Sequence, residues 1–206
     1  MFFKQLRMRG GNFSYVVADE NTKEAVVVDP GFDFDEIGSL LSQEDLKLVY
    51  IINTHDHVDH VVGEDALKQR FGGKTVSHKL SNLTADIRVD EGDVLQLGNI
   101  RIGVIYTPGH TVDSVCFLVD GKKLLAGDTL LVGRVGRTTM DGGDLRSLFE
   151  SLFSKILKLA DDVELYPGHE HGGKASSTLG EEKRANRALQ ARSYEEFVEL
   201  VGQSLT

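Results

Sequence analysis

Apolar positions along the chain fall into short runs divided by polar, glycine-bearing turns, with a few stretches of helical period between them. Residues 15–18 and 25–29 read as strands separated by a polar turn. Residues 48–52 form a continuous apolar run, the pattern of a strand covered on both faces. Further strands are predicted at 74–77, 94–97, 100–106, 114–119, 123–126 and 162–166, broken by glycine turns. Helices are predicted at 33–41, where Asp33 and Glu36 are spaced as a capping box, and at 59–71. A longer one spans 145–159, where Leu145, Leu148, Phe149, Leu152, Phe153, Ile156 and Leu159 share one face. Two more close the chain at 178–189 and 194–201, opened by Thr178 with Glu181 and by Ser193 with Glu196. No repeat or composition break divides the sequence, so residues 1–206 are expected to form one domain. Two β-rich halves with interspersed helices predict an α/β layered domain with mixed sheets rather than a doubly wound parallel sheet.

Composition narrows the function. With 40% hydrophobic and 27% charged residues the chain is that of an ordinary globular protein, which excludes disorder as the main state. Lys and Arg number 23 against 32 Asp and Glu, a net charge of −9, which argues against nucleic acid as a partner. No apolar run approaches the roughly 20 residues of a membrane span, and the first residues lack a secretory apolar stretch. A cytoplasmic protein with no membrane partner is the expectation. The single cysteine, Cys116, excludes an internal disulfide framework and any zinc site of several cysteines. Lying in the apolar strand 114–119, it reads as a small core residue rather than a nucleophile. His78, alone at a strand end, reads as a surface or satisfied histidine.

The chemistry is concentrated just after the strands. Following 48–52 comes Thr54-His55-Asp56-His57-Val58-Asp59-His60, three histidines and an aspartate in a His-x-His-x-Asp-His pattern. In extended chain a His-x-His pair places both imidazoles on one side. Asp59 and His60 then turn a second pair of ligands to a neighbouring position at a helix start. Imidazole and carboxylate suit zinc, iron or manganese. Four residues do not complete two metal sites, so downstream ligands are needed. His110 in Thr107-Pro108-Gly109-His110, Asp128 in Gly127-Asp128-Thr129 and His169 in Tyr166-Pro167-Gly168-His169 each sit just past a strand's carboxyl end. In two of these, Pro-Gly fixes the turn that carries the imidazole.

His55-x-His57-x-Asp59-His60, then His110, Asp128 and His169, resembles the five-motif signature of the metallo-β-lactamase superfamily, over nearly the whole chain from the Asp29-Pro30-Gly31 turn to the final helices. The resemblance implies a four-layer αβ/βα sandwich with two mixed β-sheets, helices outside and a metal site at one edge. It implies a first metal on His55, His57 and His110, and a second on Asp59, His60 and His169, with Asp128 bridging both. Aspartate at 128, where the commonest dizinc β-lactamases carry cysteine, separates the chain from them, and 206 residues leave no room for the inserted domain of nucleic-acid-processing members. Two branches remain, one similar to glyoxalase II and one to the persulfide dioxygenases. Gly136-Arg137-Thr138 and the stretch 177–186 look like both; Thr139 stands where both commonly have Asp, and His171 where both often have Tyr.

The first expectation is therefore a metal-dependent hydrolase of the glyoxalase II type, cleaving a thioester such as a hydroxyacylglutathione. Two divalent ions, zinc, iron or manganese, would activate a shared water, and Asp59 would orient the resulting metal-bound hydroxide. A thiolate, with a thiol pKa near 8.5, departs with little help from an acid. Arg137 reads as either an ion-pair residue or an anchor for a substrate carboxylate, and His171 as a pocket-lining residue; the partner is a small thiol-linked molecule. The alternative is a persulfide dioxygenase holding a single Fe(II) on His55, His110 and Asp128, a two-His-one-carboxylate set with open positions.

Overall fold

The computed structural model describes residues 1–140, 142–171 and 173–203. Its first sheet has six strands in the order β1-β2-β3-β4-β5-β6. These are β1 (Phe2–Arg7), β2 (Phe13–Ala18), β3 (Glu24–Val28), β4 (Lys47–Ile52), β5 (Lys74–His78) and β6 (Ile87–Val89). β1 to β3 are antiparallel, and β3 to β6 are parallel. The second sheet uses β7 (Val94–Leu97), β8 (Ile100–Tyr106), β9 (Val115–Val119), β10 (Lys123–Gly127), β13 (Glu164–Pro167) and β14 (Ser177–Thr178), and a small hairpin, β11 (Leu130–Leu131) with β12 (Arg134–Val135), follows β10. That sheet runs β14-β13-β10-β9-β8-β7, with β10 and β13 parallel and the other pairs antiparallel.

Alternation of side chains sorts each strand between two cores. Tyr15, Val17, Val26 and Val28 from the first sheet meet Ile102, Val115, Phe117 and Leu125 from the second in one buried cluster, so the sheets lie face to face. The neighbours Val16, Ala25, Val27 and Ile51 point the other way, against α1 (Phe34–Gln43) and α3 (Glu64–Phe71) through Ile37, Leu41 and Leu67. Behind the second sheet, Cys116, Leu124 and Leu165 pack on α4 (Leu145–Ser154), α5 (Leu179–Ala185) and α6 (Tyr194–Gln203) through Leu148, Leu152, Leu179 and Phe197. The result is the expected four-layer sandwich with helices outside. Double coverage explains why the strands read as continuous apolar runs: each fully buried Val, Leu or Phe contributes roughly 1.5–3 kcal/mol on either face.

Several elements differ from the sequence expectation for identifiable reasons. The helix expected at 59–71 is split into α2 (Val58–Val61) and α3, because the chain at Gly63 presses on a neighbour: its N–H donates to Pro30 O at 2.8 Å, and a Cβ there would lie 2.6 Å from Phe34 Cβ. The helix expected at 145–159 ends at Ser154, where Lys155 leaves helical geometry, and a separate one-turn helix, Ile156–Lys158, carries Ile156 into the core. The stretch 178–189 likewise divides after Ala185. Asp33 forms no capping box. It adopts a left-handed conformation and its carboxylate binds the backbone and guanidinium of Arg9 instead. Thr178 and Ser193 do cap, accepting from the backbone N–H of Glu181 and Glu196 at 3.2 Å each. Among the described residues no helix is long and apolar enough to cross a membrane.

Candidate metal centre

Every candidate ligand lies past the carboxyl end of a strand. His55 and His57 follow β4, Asp59 and His60 lie in α2, and His110, Asp128 and His169 follow β8, β10 and β13. The fold brings these ends together between the two sheets.

His55, His57 and His110 form one group of ligand atoms; Asp59, His60 and His169 form a second. Within the first, His57 Nδ1 lies 3.1 Å from His55 Nε2 and 3.0 Å from His110 Nε2. The surrounding bonds assign the tautomers. His110 Nδ1 donates to the carbonyl of Arg137 at 2.7 Å, so its Nε2 carries a lone pair. Thr54 Oγ1 donates to Asp29 Oδ2 at 2.7 Å and is left to accept from His55 Nδ1 at 3.0 Å, which bares His55 Nε2 as well. Two lone pairs thus face His57 Nδ1, which holds at most one proton in the neutral ring. Three converging imidazole nitrogens with too few protons to bond one another are a set of donors that suits a cation. Burial favours the uncharged ring and lowers the pKa of both His55 and His110, so both are in the ligating form at neutral pH.

Asp29 organises this side of the site. Buried to 1% exposure, it accepts the Thr54 N–H at 2.7 Å, the Thr54 hydroxyl, and the Nδ1–H of His60 at 3.2 Å. His60 therefore turns its Nε2 inward, and despite full burial the bond to Asp29 leaves its pKa raised. Asp29 and Thr54 were not among the ligands read from sequence. Their only signal was position, next to the Asp29-Pro30-Gly31 turn and the His55 motif.

The second group is bound differently. His169 Nδ1 lies 2.8 Å from Asp128 Oδ1 and its Nε2 lies 3.2 Å from Asp59 Oδ2. Burial opposes the charged ring, but the two carboxylates outweigh it and push the His169 pKa up to about 10. In turn, the His169 bond holds Asp59 well below the usual carboxylate range, and Asn12 Nδ2 donates to Asp59 Oδ2 at 2.9 Å. Asp128 is buried, which disfavours its charge, yet the bond from His169 and the surrounding imidazoles hold its pKa well below normal. Its Oδ2 lies 3.5 Å from His110 Nε2, so the carboxylate spans both groups. Gly168 makes this approach possible: a Cβ there would sit 2.5 Å from Asp128 Oδ1. The His169 turn is tied to the N-terminal segment by Phe13 N–H to Gly168 O and Glu170 N–H to Gly11 O, at 2.7 and 2.8 Å.

The model of the metallo-beta-lactamase superfamily matches residues 7–83 and 80–169. The chain belongs to that superfamily. Among its relatives within this superfamily, the human mitochondrial persulfide dioxygenase ETHE1 is 33% identical over 218 residues, covering 97% of this chain and 85% of the relative. The hydroxyacylglutathione hydrolase GloC of Haemophilus influenzae is 32% identical, covering 88% and 94%. The crystal structure of ETHE1 from Myxococcus xanthus superposes with a TM-score of 0.94 at 33% identity, over 100% of this chain and 92% of that one. The chain is thus an enzyme of the metallo-beta-lactamase superfamily, with His and Asp groups arranged for metal.

A cavity of about 300 Å³ opens beside the centre, lined by Asp128, Leu131, Arg134, Arg137, His169 and His171. The Arg137 side chain makes no ion pair among the described residues; its backbone carbonyl orients His110. His171 lines the cavity, its pKa lowered by burial and by the nearby Arg134 charge. Arg134, on β12, was not singled out from sequence. Outside the site, Cys116 is fully buried, and burial pushes its thiol up to about 11. His78 is buried rather than superficial, stacked on Tyr106 at 4.1 Å, with Nδ1 accepting the Leu80 N–H at 3.3 Å.

Proposed function

We propose that the chain is a mononuclear iron persulfide dioxygenase, the second of the two activities the sequence suggests. The reaction is RSSH + O2 + H2O → RSH + H2SO3: the outer sulfur gives four electrons to dioxygen and leaves as sulfite. The Asp128 carboxylate carries this reading. One oxygen faces His110, while the other, which a bridge to a second ion would engage, accepts a bond from His169 at 2.8 Å. Asp128 Oδ2 lies 3.5 Å from His110 Nε2, and with His55 Nε2 beside His110 these three residues would supply the two-His-one-carboxylate set suited to Fe(II) and open positions. His169, Asp59 and Asp128 satisfy one another as a hydrogen-bonded group. Similarity to persulfide dioxygenases along nearly the whole chain supports the same reading.

Bound iron would supply activation of dioxygen and a place for the terminal sulfur. The chain does the rest. Arg137 O and Thr54 Oγ1 hold the tautomers of His110 and His55. His169 holds a proton at Nε2 against Asp59. Arg137 and His171 face the cavity through which an anionic persulfide would enter.

One observation favours the thioester hydrolase as a second reading: Asp59, His60 and His169 offer ligand atoms within 4.8 Å of one another, enough for a second ion. In that case Asp59 orients the attacking water. Metal content of the wild type and His169→Ala separates the two. The dioxygenase reading expects about one iron per chain in both proteins; a fall from two ions to one on losing His169 would favour the hydrolase.

A further inference from the structure

Arg134 is a cation of the cavity wall with no charged partner among the described residues. It projects from the β11–β12 hairpin, which immediately follows the Asp128 turn, and lines the cavity with Leu131, Arg137 and His171. Its Nε is fully covered and has no hydrogen-bond partner, and its guanidinium makes no ion pair among the described residues. Elsewhere some basic side chains do find a carboxylate: Arg7 reaches Glu170, Lys68 reaches Asp86, and Lys155 reaches Glu91. Nε itself is covered, so a molecule in the cavity would meet the terminal nitrogens of the guanidinium, which no hydrogen bond or ion pair engages among the described residues.

The carboxylates nearby do not supply one. Asp128 already bonds His169 and faces His110. Arg137 adds positive charge and His171 a ring N–H to the same wall, and Leu131 offers an apolar surface for a short hydrocarbon stem. A guanidinium fork matches a carboxylate through two parallel N–H···O bonds. At about 300 Å³, the cavity lies at the small end of ligand sites, roughly 300–1,000 Å³.

We propose that Arg134 is a specificity-determining residue that selects small thiol-derived substrates ending in a carboxylate remote from the reacting sulfur. The choice of persulfides as the reacting group rests on the dioxygenase reading; the acidic end rests on Arg134 itself. Oxygen uptake is measured with the persulfides of 3-mercaptopropionate and of neutral 3-mercaptopropan-1-ol, for the wild type, Arg134→Gln and Arg134→Lys. The wild type should prefer the acid in kcat/KM by at least tenfold. Arg134→Gln should raise KM for the acid at least ten times more than for the alcohol, with Arg134→Lys between, since a point charge replaces the fork. An equal effect on both substrates, or no preference in the wild type, overturns the proposal.

A binding arm keeps this independent of the reaction. NMR titration of the metal-free protein with unreactive 3-(methylthio)propionate should show saturable binding that weakens at least tenfold in Arg134→Gln, whereas the matching alcohol should not saturate. That result, with no oxygen uptake on any persulfide, would retire the dioxygenase reading and leave the acid-binding role standing. Binding of the acid that is indifferent to Arg134→Gln would overturn the role even where oxygen is consumed.

Discussion

Replacing Asp29 with Asn changes no ligand of the first group, yet it should weaken the metal centre measurably. The residue has φ of +49°, a left-handed conformation that Asn tolerates well, so the backbone turn survives and the effect is confined to the side chain. The amide can keep its oxygen on the Thr54 N–H, 2.7 Å away in the native protein. Its NH2 then replaces Oδ2, which accepts from both the Thr54 hydroxyl at 2.7 Å and His60 Nδ1 at 3.2 Å. Donor meets donor at both. The hydroxyl oxygen has lone pairs for both the amide and His55 Nδ1, but its own proton then loses the carboxylate it bonds in the native protein. Two charge-assisted bonds are lost, at about 1.5–3 kcal/mol each, so the metal-free protein should lose about 3–6 kcal/mol. Iron affinity should fall about 10–100-fold, the usual effect of removing an outer partner of a ligating imidazole. Urea unfolding of the metal-free proteins and anaerobic competition for Fe(II) against a chelator read the two quantities. A variant within about 0.5 kcal/mol of wild type in stability, and within twofold in affinity, would refute the claim that Asp29 holds the site in register.

Two other expectations come from outside the site. Cys116→Ala should cost about 1 kcal/mol, in line with small changes of core volume, and leave kcat intact, and native Cys116 should resist alkylation at pH 8 because its buried thiol titrates near 11; rapid native labelling together with an inactive variant would show a chemical role instead. Asp86 accepts bonds from Lys68 Nζ and from the Thr75 N–H and hydroxyl, which lower its pKa to about 2, below the unfolded value of about 3.9. Its stabilisation is therefore complete above the unfolded value and lost as pH falls toward 2, so the urea midpoints of wild type and Asp86→Asn should differ at pH 6 and converge near pH 2.

The ligands were legible because they are rare residue types set at strand ends, two of them behind Pro-Gly turns that local chemistry alone specifies. The central strands were legible because burial on both faces leaves an unbroken apolar signature. β1 and β6 were not, since both are edge strands whose side chains alternate between partial burial and exposure without a clean period. Gly63 broke a helix whose apolar spacing continues through it, because the reason for the break is Phe34 and Pro30, some thirty positions away. Asp29 looked like a turn residue; its role depends on Thr54 and His60, which only the sheet register brings to it. Arg134 lay in a short glycine-flanked hairpin with no pattern to mark it, and its significance is the absence of a side-chain partner among the described residues, which no sequence displays.

The central claim is that one iron, held by His55, His110 and Asp128, serves the oxidation of a persulfide. The measurement that tests it most directly is oxygen consumption by the purified protein loaded with one Fe(II) per chain. On adding a persulfide, dioxygen should disappear and sulfite form in a one-to-one ratio. Hydrolysis of a hydroxyacyl thioester by the same protein, with no uptake of oxygen on any persulfide, would contradict it.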